Sequence, residues 1–318
     1  MKKLAIVGVS GLVGQTVLKV LKEENLIDKF ELYLLSSSRS AGKVLVFEER
    51  HFRLIELREE VLKIGLDYAI FVTNEEISVE WVKKFADTGT VVIDNSSAFR
   101  MNENVPLVVP EINFNLIKNN DKIIANPNCS TIQLVLILDK LRNFAGLDTV
   151  VVSSYQSVSG AGKDALLDLE NDTNFVFEKG IKNNIIPQIG RLSNNLYCAE
   201  ENKIILESQK ILNQKFNIAA TTVRVPIKFC HGESVYVKFS KEIGFEKVKE
   251  ALACDYICLN DIFLPKECEN SNLTYVCRLR KHSDNEILFF VIADNLRRGA
   301  AYNAVEILKR LIWNFTKI

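Results

Sequence analysis

The stretch KIIANPNCSTIQLVLIL, residues 122–138, sets Cys129 between a proline turn and what reads as the first turn of an apolar helix. A thiol there feels orphan backbone N–H groups and the positive end of the helix dipole, which favour thiolate. This is where a nucleophile would be placed, although a small buried cysteine capping a core helix leaves the same trace. An attacking thiolate needs a base, donors for an oxyanion and cations for an anionic leaving group. Three histidines are available at neutral pH. His51 in EERHFRL and His282 in RLRKHSDNE lie in charged, solvated-looking segments, whereas His231 in RVPIKFCHGES sits at a turn between apolar strands. Arg224 precedes it by seven residues. Such an odd spacing turns strand side chains to opposite faces, so the pair converges only if Pro226 or Gly232 marks a bend. Arg100 follows the strand of IDNSSAFR, at the carboxyl end where α/β sheets bind ligands. Gln156, in SYQSVSGAGK, follows another strand and precedes a glycine-rich turn whose amides could face a cofactor. Glu200 and Lys203 are three apart on one helical face, a spacing that by itself favours an ordinary surface salt bridge over a binding pair.

A redox partner for the thiol is suggested by GVSGLVG, where Gly8, Gly11 and Gly14 follow an apolar strand and open a helix. Absent side chains there let backbone approach a pyrophosphate at the helix start. About twenty residues further on, where an NAD site places an acid, the sequence reads LLSSSRSAG. Arg39 with Ser38 and Ser40 suits a 2′-phosphate, favouring NADP over NAD, against the alternative of a solvated loop arginine. A cysteine nucleophile beside a nicotinamide points to acyl chemistry, in which the thiolate attacks an acyl carbon and the adduct exchanges hydride with the cofactor.

The elements that must carry these residues come in two textures. KLAIVGV, ELYLLSS, DYAIFVT, TVVID and KIIAN are short apolar runs, with VGQTVLKVLKEE and VEWVKKFADTG as helical patterns among them. Strands alternating with helices imply a parallel, doubly wound, Rossmann-like sheet. From about Asp148 the runs lengthen and alternate with period two, in TVVVSSYQSVS, FNIAATTVRVP, ESVYVKFS, NLTYVCRLR and EILFFVIA. They predict an α+β second domain with a mixed or antiparallel sheet covered on one face. The expected division is 1–147 and 148–296, with the helical pattern from 297 to 318 returning to the first domain.

At 318 residues, 47% hydrophobic and 25% charged, the chain is long enough for two ordinary domains. Forty basic residues balance forty acidic ones, so no field of one sign favours nucleic acid or an anionic membrane as a partner. No apolar run reaches the roughly 18 residues of a membrane helix, and no signal cleavage site follows the N-terminus, so a cytoplasmic protein is expected. Seven cysteines without paired spacing argue against a disulfide framework or a zinc site.

In order, GVSGLVG, SSSRSAGK, IDNSSAFRM, VPLVVPEIN, ANPNCSTIQ, SYQSVSGAG, IIPQIG, EENKIILESQKIL, RVPIKFCHGES and ADNLRRGAAYNAVEI resemble the aspartate-semialdehyde dehydrogenase family from end to end. NPNCSTIQ separates the chain from N-acetyl-γ-glutamyl-phosphate reductases, where the cysteine's surroundings look more like GNPGCYPT. The resemblance implies NADPH-dependent reductive dephosphorylation of L-aspartyl 4-phosphate to aspartate semialdehyde, on the route to lysine, methionine and threonine. It implies Cys129 as nucleophile, His231 as acid/base and Gln156 as the residue orienting the thioacyl intermediate. Arg224 would hold the substrate carboxylate and Glu200 its amino group, with Arg100, Lys203 and Asn128 on the phosphate. On the cofactor side it implies Gly8, Ser10, Gly11, Leu12, Val13 and Gly14, then Arg39 and Ser40, Ser159, Gly160, Ala161 and Gly162, and Asn295. A homodimer or homotetramer built through the second domain is implied as well. The alternatives are a non-catalytic NADP-binding paralogue, or an acyl-phosphate reductase with another acidic substrate.

Departures from the pattern accompany the resemblance. TNEEIS replaces a SAGG-like turn after DYAIFVT, so Glu75 and Glu76 would bring bulk and negative charge toward the cofactor, with weaker or altered binding expected. GVSG replaces GATG, and HGES replaces the more common HSES.

Overall fold

The computed structural model describes residues 1–315. The chain packs as two units, Met1–Pro127 with the segment from Ala300 onward, and Asn128–Gly299.

The first unit is a six-stranded sheet of β1 (Lys2–Val7), β2 (Phe30–Ser36), β5 (Ile55–Glu56), β6 (Tyr68–Phe71), β7 (Val91–Asp94) and β8 (Ile123–Ala125). Its order is β5-β2-β1-β6-β7-β8, and every pairing is parallel. A separate hairpin joins β3 (Val44–Phe47) to β4 (Arg50–Arg53). Apolar clusters cover both sheet faces: Leu4, Ile6 and Ile70 pack with residues of α1 (Leu12–Glu23) and α8 (Tyr302–Phe315), while Ala5, Val7 and Phe71 pack with α2 (Glu75–Asp87). Burial on both faces explains why β6 reads as an unbroken apolar run. A short helix α3 (Pro110–Asn113) completes the unit. The strand expected over 3–9 ends at Val7 because Gly8 takes φ +90°.

The second unit holds the mixed sheet β10-β9-β11-β14-β13-β12. Its strands are β9 (Leu147–Gln156), β10 (Asn217–Arg224), β11 (His231–Phe239), β12 (Ile257–Leu259), β13 (Thr274–Ser283) and β14 (Glu286–Ala293). Its helices are α4 (Cys129–Ala145), α5 (Lys163–Asn171), α6 (Ala199–Leu212) and α7 (Phe245–Leu252). From Val150 to Gln156 the even positions of β9, and the odd positions of β11, are buried against helices, and the other face of these strands is partly open. The boundary at residue 147 leaves α4 in the first domain, but α4 packs against α6, α7 and the sheet of the second unit. Its apolar residues surround the helix and need cover on several sides. The terminal helical pattern starts as a π-helical turn, Arg297–Ala301, before α8. There Asp294 accepts Leu296 N–H and Arg297 N–H with its carboxylate, and its carbonyl accepts Gly299 N–H at 3.0 Å.

Candidate active site

Cys129 is the first residue of α4 and half-buried. Asn128 caps the helix, its Oδ1 accepting from Ser130 N–H at 3.0 Å and Thr131 N–H at 3.3 Å. Two carboxylates of α6 fix this turn from the other side. Glu207 accepts the Asn128 backbone N–H at 2.7 Å, and Glu200 accepts the Asn128 side-chain amide at 2.8 Å. Glu200, Lys203 and Glu207 share one face of α6 because they are spaced three and four apart. The helix is itself tied to β10 through Glu201, which accepts Cys198 N–H and Thr222 N–H.

Arg224, Gln156 and His231 stand side by side at the ends of β10, β9 and β11. Arg224 pairs with Gln156 in the parallel ladder, and Tyr155 pairs with Gly232 in the antiparallel one, which puts His231 next to Gln156. All three side chains are buried on the helix-covered face. Their convergence is not a bend within one strand. The chain leaves β10 after Arg224, crosses the end of β9 and enters β11 at His231; Pro226 lies in that crossing. Val158 N–H and Ser159 N–H pin it by donating to Ile227 and Lys228 carbonyls. Gly232 has another role: a Cβ there would lie 2.7 Å from the Phe290 ring.

Glu200 is the centre of charge. Its carboxylate accepts from Asn128, from Gln156 Nε2 at 3.2 Å and from Lys203 Nζ at 3.1 Å. Burial raises its pKa, but the Lys203 ammonium, the Asn128 amide and Arg224 outweigh burial and hold it at about 2. Burial lowers the pKa of Arg224 while Glu200 and Cys129 oppose it. A guanidinium stays protonated throughout, so a fixed cation lies within electrostatic reach of the thiol. His231 is completely buried, and burial together with Arg224 pushes it down to about 3, leaving a neutral imidazole. The Ser157 backbone N–H donates to His231 Nδ1 at 3.1 Å. Nδ1 is thereby an acceptor, and the ring proton sits on Nε2, an atom that makes no hydrogen bond among the described residues.

Sequence reasoning missed Ser157 and Gly299. Ser157 binds His231 through its N–H and Arg224 through its carbonyl, which accepts the guanidinium at 2.7 Å. The only signal in the letters is its position between Gln156 and the glycine turn. Gly299 packs on Cys129: a Cβ there would lie 2.8 Å from Cys129 Cβ. Gly160, expected on the cofactor side, borders this cluster; its Cβ would meet Arg224 Nη1 at 3.0 Å and His231 Nε2 at 3.3 Å. Ala161 and Gly162 follow in the same short turn. Ser159 and Asn295 are buried and bonded to each other. Asn295 Oδ1 also accepts from Cys230 N–H and Ser157 Oγ.

In the first unit, Arg100 is buried after β7 and donates to the carbonyls of Asn126 at 2.9 Å and Asn95 at 2.7 Å. The Gly8–Gly14 turn fits a phosphate cradle. Gly8 has φ +90° and its Cβ would meet Val72 O at 2.6 Å; a Cβ on Gly14 would meet Gly8 O at 2.6 Å. The α1 start at Gly11, Leu12, Val13 and Gly14 carries neither a side-chain cap nor a first-turn acid, so its N–H groups suit an anion. Ser10 belongs to the same turn, while Arg39 is exposed and Ser40 half-buried in the turn after β2. Glu75 and Glu76 are the exposed first residues of α2, where Asn74 caps the helix and Glu75 accepts from Ser97 Oγ. Their charge complements the α2 dipole.

Comparison with known proteins agrees over the whole chain. The model "Semialdehyde dehydrogenase, NAD binding domain" matches residues 3–120, and "Semialdehyde dehydrogenase, dimerisation domain" matches 138–298. The aspartate-semialdehyde dehydrogenase of Aquifex aeolicus is 42% identical over 98% of each chain, and that of Bacillus subtilis 38% identical over 97% of this chain and 96% of its own. The crystal structure of aspartate semialdehyde dehydrogenase II from Vibrio cholerae, complexed with ASA, superposes with a TM-score of 0.92 at 36% identity, covering 99% of both chains. No described helix is long and apolar enough to cross a membrane. Similarity of this extent, reaching both units, makes the chain a member of the aspartate-semialdehyde dehydrogenase family.

Proposed function

We propose that the protein catalyses the reductive dephosphorylation of L-aspartyl 4-phosphate to L-aspartate 4-semialdehyde, using Cys129 as nucleophile and NADPH as reductant. The supporting observation is the convergence of His231, Gln156, Arg224 and Glu200 with the helix start that bears Cys129. Cys129 Sγ attacks the acyl carbon, the carbon–oxygen bond to phosphate breaks, and the carbonyl re-forms as a thioester. When bound, the nicotinamide cofactor supplies the hydride. His231 Nε2–H holds the carbonyl oxygen as it gains charge and gives it a proton; as the thiohemiacetal collapses, that proton returns to His231 Nε2, the carbon–sulfur bond breaks, and the aldehyde and the Cys129 thiolate are released. Lys203 and the remaining Asn128 amide hydrogen offer donors to the phosphate; Arg100 is assigned to it on the family pattern. Arg224 takes the α-carboxylate and Glu200 the α-ammonium. Gln156, already bonded to Glu200, steadies the acyl group.

NADP preference rests on Arg39 and Ser40 with no acid beside them. A homodimer is supported by the family model of the second unit and by the open sheet face, where Val151 and Tyr155 are 43% and 40% exposed. Tyr155→Asp is expected to shift the sedimentation coefficient toward monomer. The activity test is cofactor absorbance with aspartate semialdehyde in the reverse direction. NADP reduction that requires phosphate, exceeds NAD reduction and vanishes in Cys129→Ala is expected; a silent wild type that still binds NADP would favour the non-catalytic paralogue.

A further inference from the structure

Behind the reacting groups lies a second pair that the mechanism above does not use. Gln133 stands four residues after Cys129 on α4, hence one turn along the same helical face. Glu233 stands two residues after His231 on β11, hence on the same sheet face. Both are completely buried. The Gln133 amide is close enough to act on the Glu233 carboxyl, yet no polar atom of either side chain reaches hydrogen-bond distance and angle to a partner among the described residues. Four juxtaposed orphan atoms in a packed interior demand an explanation. A carboxylate only accepts, so an ionised Glu233 would leave the Gln133 carbonyl oxygen unsatisfied. A protonated carboxyl donates to that oxygen while accepting from the amide N–H, and the two groups then form a closed ring of two hydrogen bonds. The charged and titratable groups on the neighbouring elements include Cys129 and Asp139 on α4, His231 on β11, Glu200, Lys203 and Glu207 on α6, and Arg224 on β10. The Glu200 charge further opposes ionisation of Glu233.

We propose that Glu233 and Gln133 form a neutral acid–amide pair that keys α4 to β11 and so fixes Cys129 relative to His231. Glu233 is thus a positioning residue one step behind the acid/base, and the inference rests on the proposed roles of those two residues. Burial is also the larger cause that lifts the Glu233 carboxyl well above the ordinary carboxylate range.

The experiment compares Glu233→Gln, Glu233→Asp and the reciprocal swap Gln133→Glu/Glu233→Gln with wild type. One readout is kcat and KM for phosphate-dependent NADP reduction. The second is the rate of iodoacetamide alkylation of Cys129 against pH, which needs neither substrate nor turnover. Glu233→Gln and the swap keep a neutral pair and are expected within about threefold of wild type. Glu233→Asp shortens the reach by a methylene and is expected to lose about tenfold in kcat, with KM little changed and the alkylation profile displaced, since an ångström of misplacement costs up to about a hundredfold. A third readout is urea denaturation at pH 5 and pH 8. An acid whose folded pKa is raised loses stability as pH climbs past its unfolded value; the advantage of Glu233→Gln over wild type therefore widens between those pH values. Glu233→Gln behaving like Glu233→Asp, or Glu233→Asp matching wild type in kcat and alkylation, would overturn the proposal. Loss of turnover in every protein with the alkylation pattern intact would overturn the reaction assignment and leave the pair standing.

Discussion

Gly299→Ala should displace Cys129 without replacing any residue assigned to the proposed reaction. The added Cβ would lie 2.8 Å from Cys129 Cβ, 3.1 Å from its Cα and 3.3 Å from its carbonyl oxygen. None of these is the end of a flexible side chain, so relief requires the start of α4 or the Arg297–Ala301 turn to move. Reaching an ordinary contact of 3.4 Å takes a shift of about 0.6 Å at the closest pair. Overpacking of this kind costs about 1–3 kcal/mol of stability. If an ångström of misplacement costs about a hundredfold in rate, about 0.6 Å at Cys129, as the proposed nucleophile, should cost roughly tenfold in kcat. The assay is kcat and KM for phosphate-dependent NADP reduction, with urea denaturation alongside. Gly244→Ala is the control, because its Cβ would find nothing nearer than Lys247 Cγ at 3.7 Å. A Gly299→Ala enzyme with wild-type kcat would refute the claim that the position of Cys129 is set by this close approach.

Three further outcomes follow from named contacts. Glu200→Gln should raise KM for aspartate semialdehyde about tenfold to a hundredfold, the range of a lost charge-assisted hydrogen bond, while KM for NADP stays unchanged. Since the folded pKa of Glu200 is depressed to about 2, its stabilisation is present above the ordinary carboxylate range and is lost as pH falls toward 2, so acid unfolding between about pH 4.5 and 2 should be blunted in Glu200→Gln. Arg39→Ala should lower kcat/KM for NADP by about tenfold to a hundredfold and leave that for NAD unchanged, as read from initial rates with each cofactor. Asn295→Ala should cost about 1–3 kcal/mol in urea denaturation by leaving the buried Cys230 N–H unsatisfied.

Much of this was legible in the letters because local rules decide it. The proline turn before Cys129 and the apolar run after it dictate a helix start, and the alternation in SSYQ dictates which side chains of β9 face inward. What stayed illegible depends on strand order. The seven-residue spacing of Arg224 and His231 looked like a conflict only because the strands were imagined as one run, when β9 lies between β10 and β11. The letters of TNEEIS also hide that Asn74 caps a helix whose first residues are Glu75 and Glu76. Gly299 and Ser157 act through partners 170 and 74 positions away in sequence, Cys129 and His231, and no periodicity reports such a separation. Glu233 carried no signal at all, since one carboxylate in HGES looks like any other until its burial is known.

The most direct test of the account is intact-mass and peptide mass spectrometry on enzyme mixed with aspartate semialdehyde and NADP in the absence of phosphate. Cys129 should then become acylated and stay so, with about one NADPH formed per site. The aspartyl adduct should map to the peptide that contains Cys129, disappear on adding phosphate and be absent from Cys129→Ala. An adduct on another cysteine, or multiple turnovers without phosphate and without an adduct, would contradict the thioacyl mechanism.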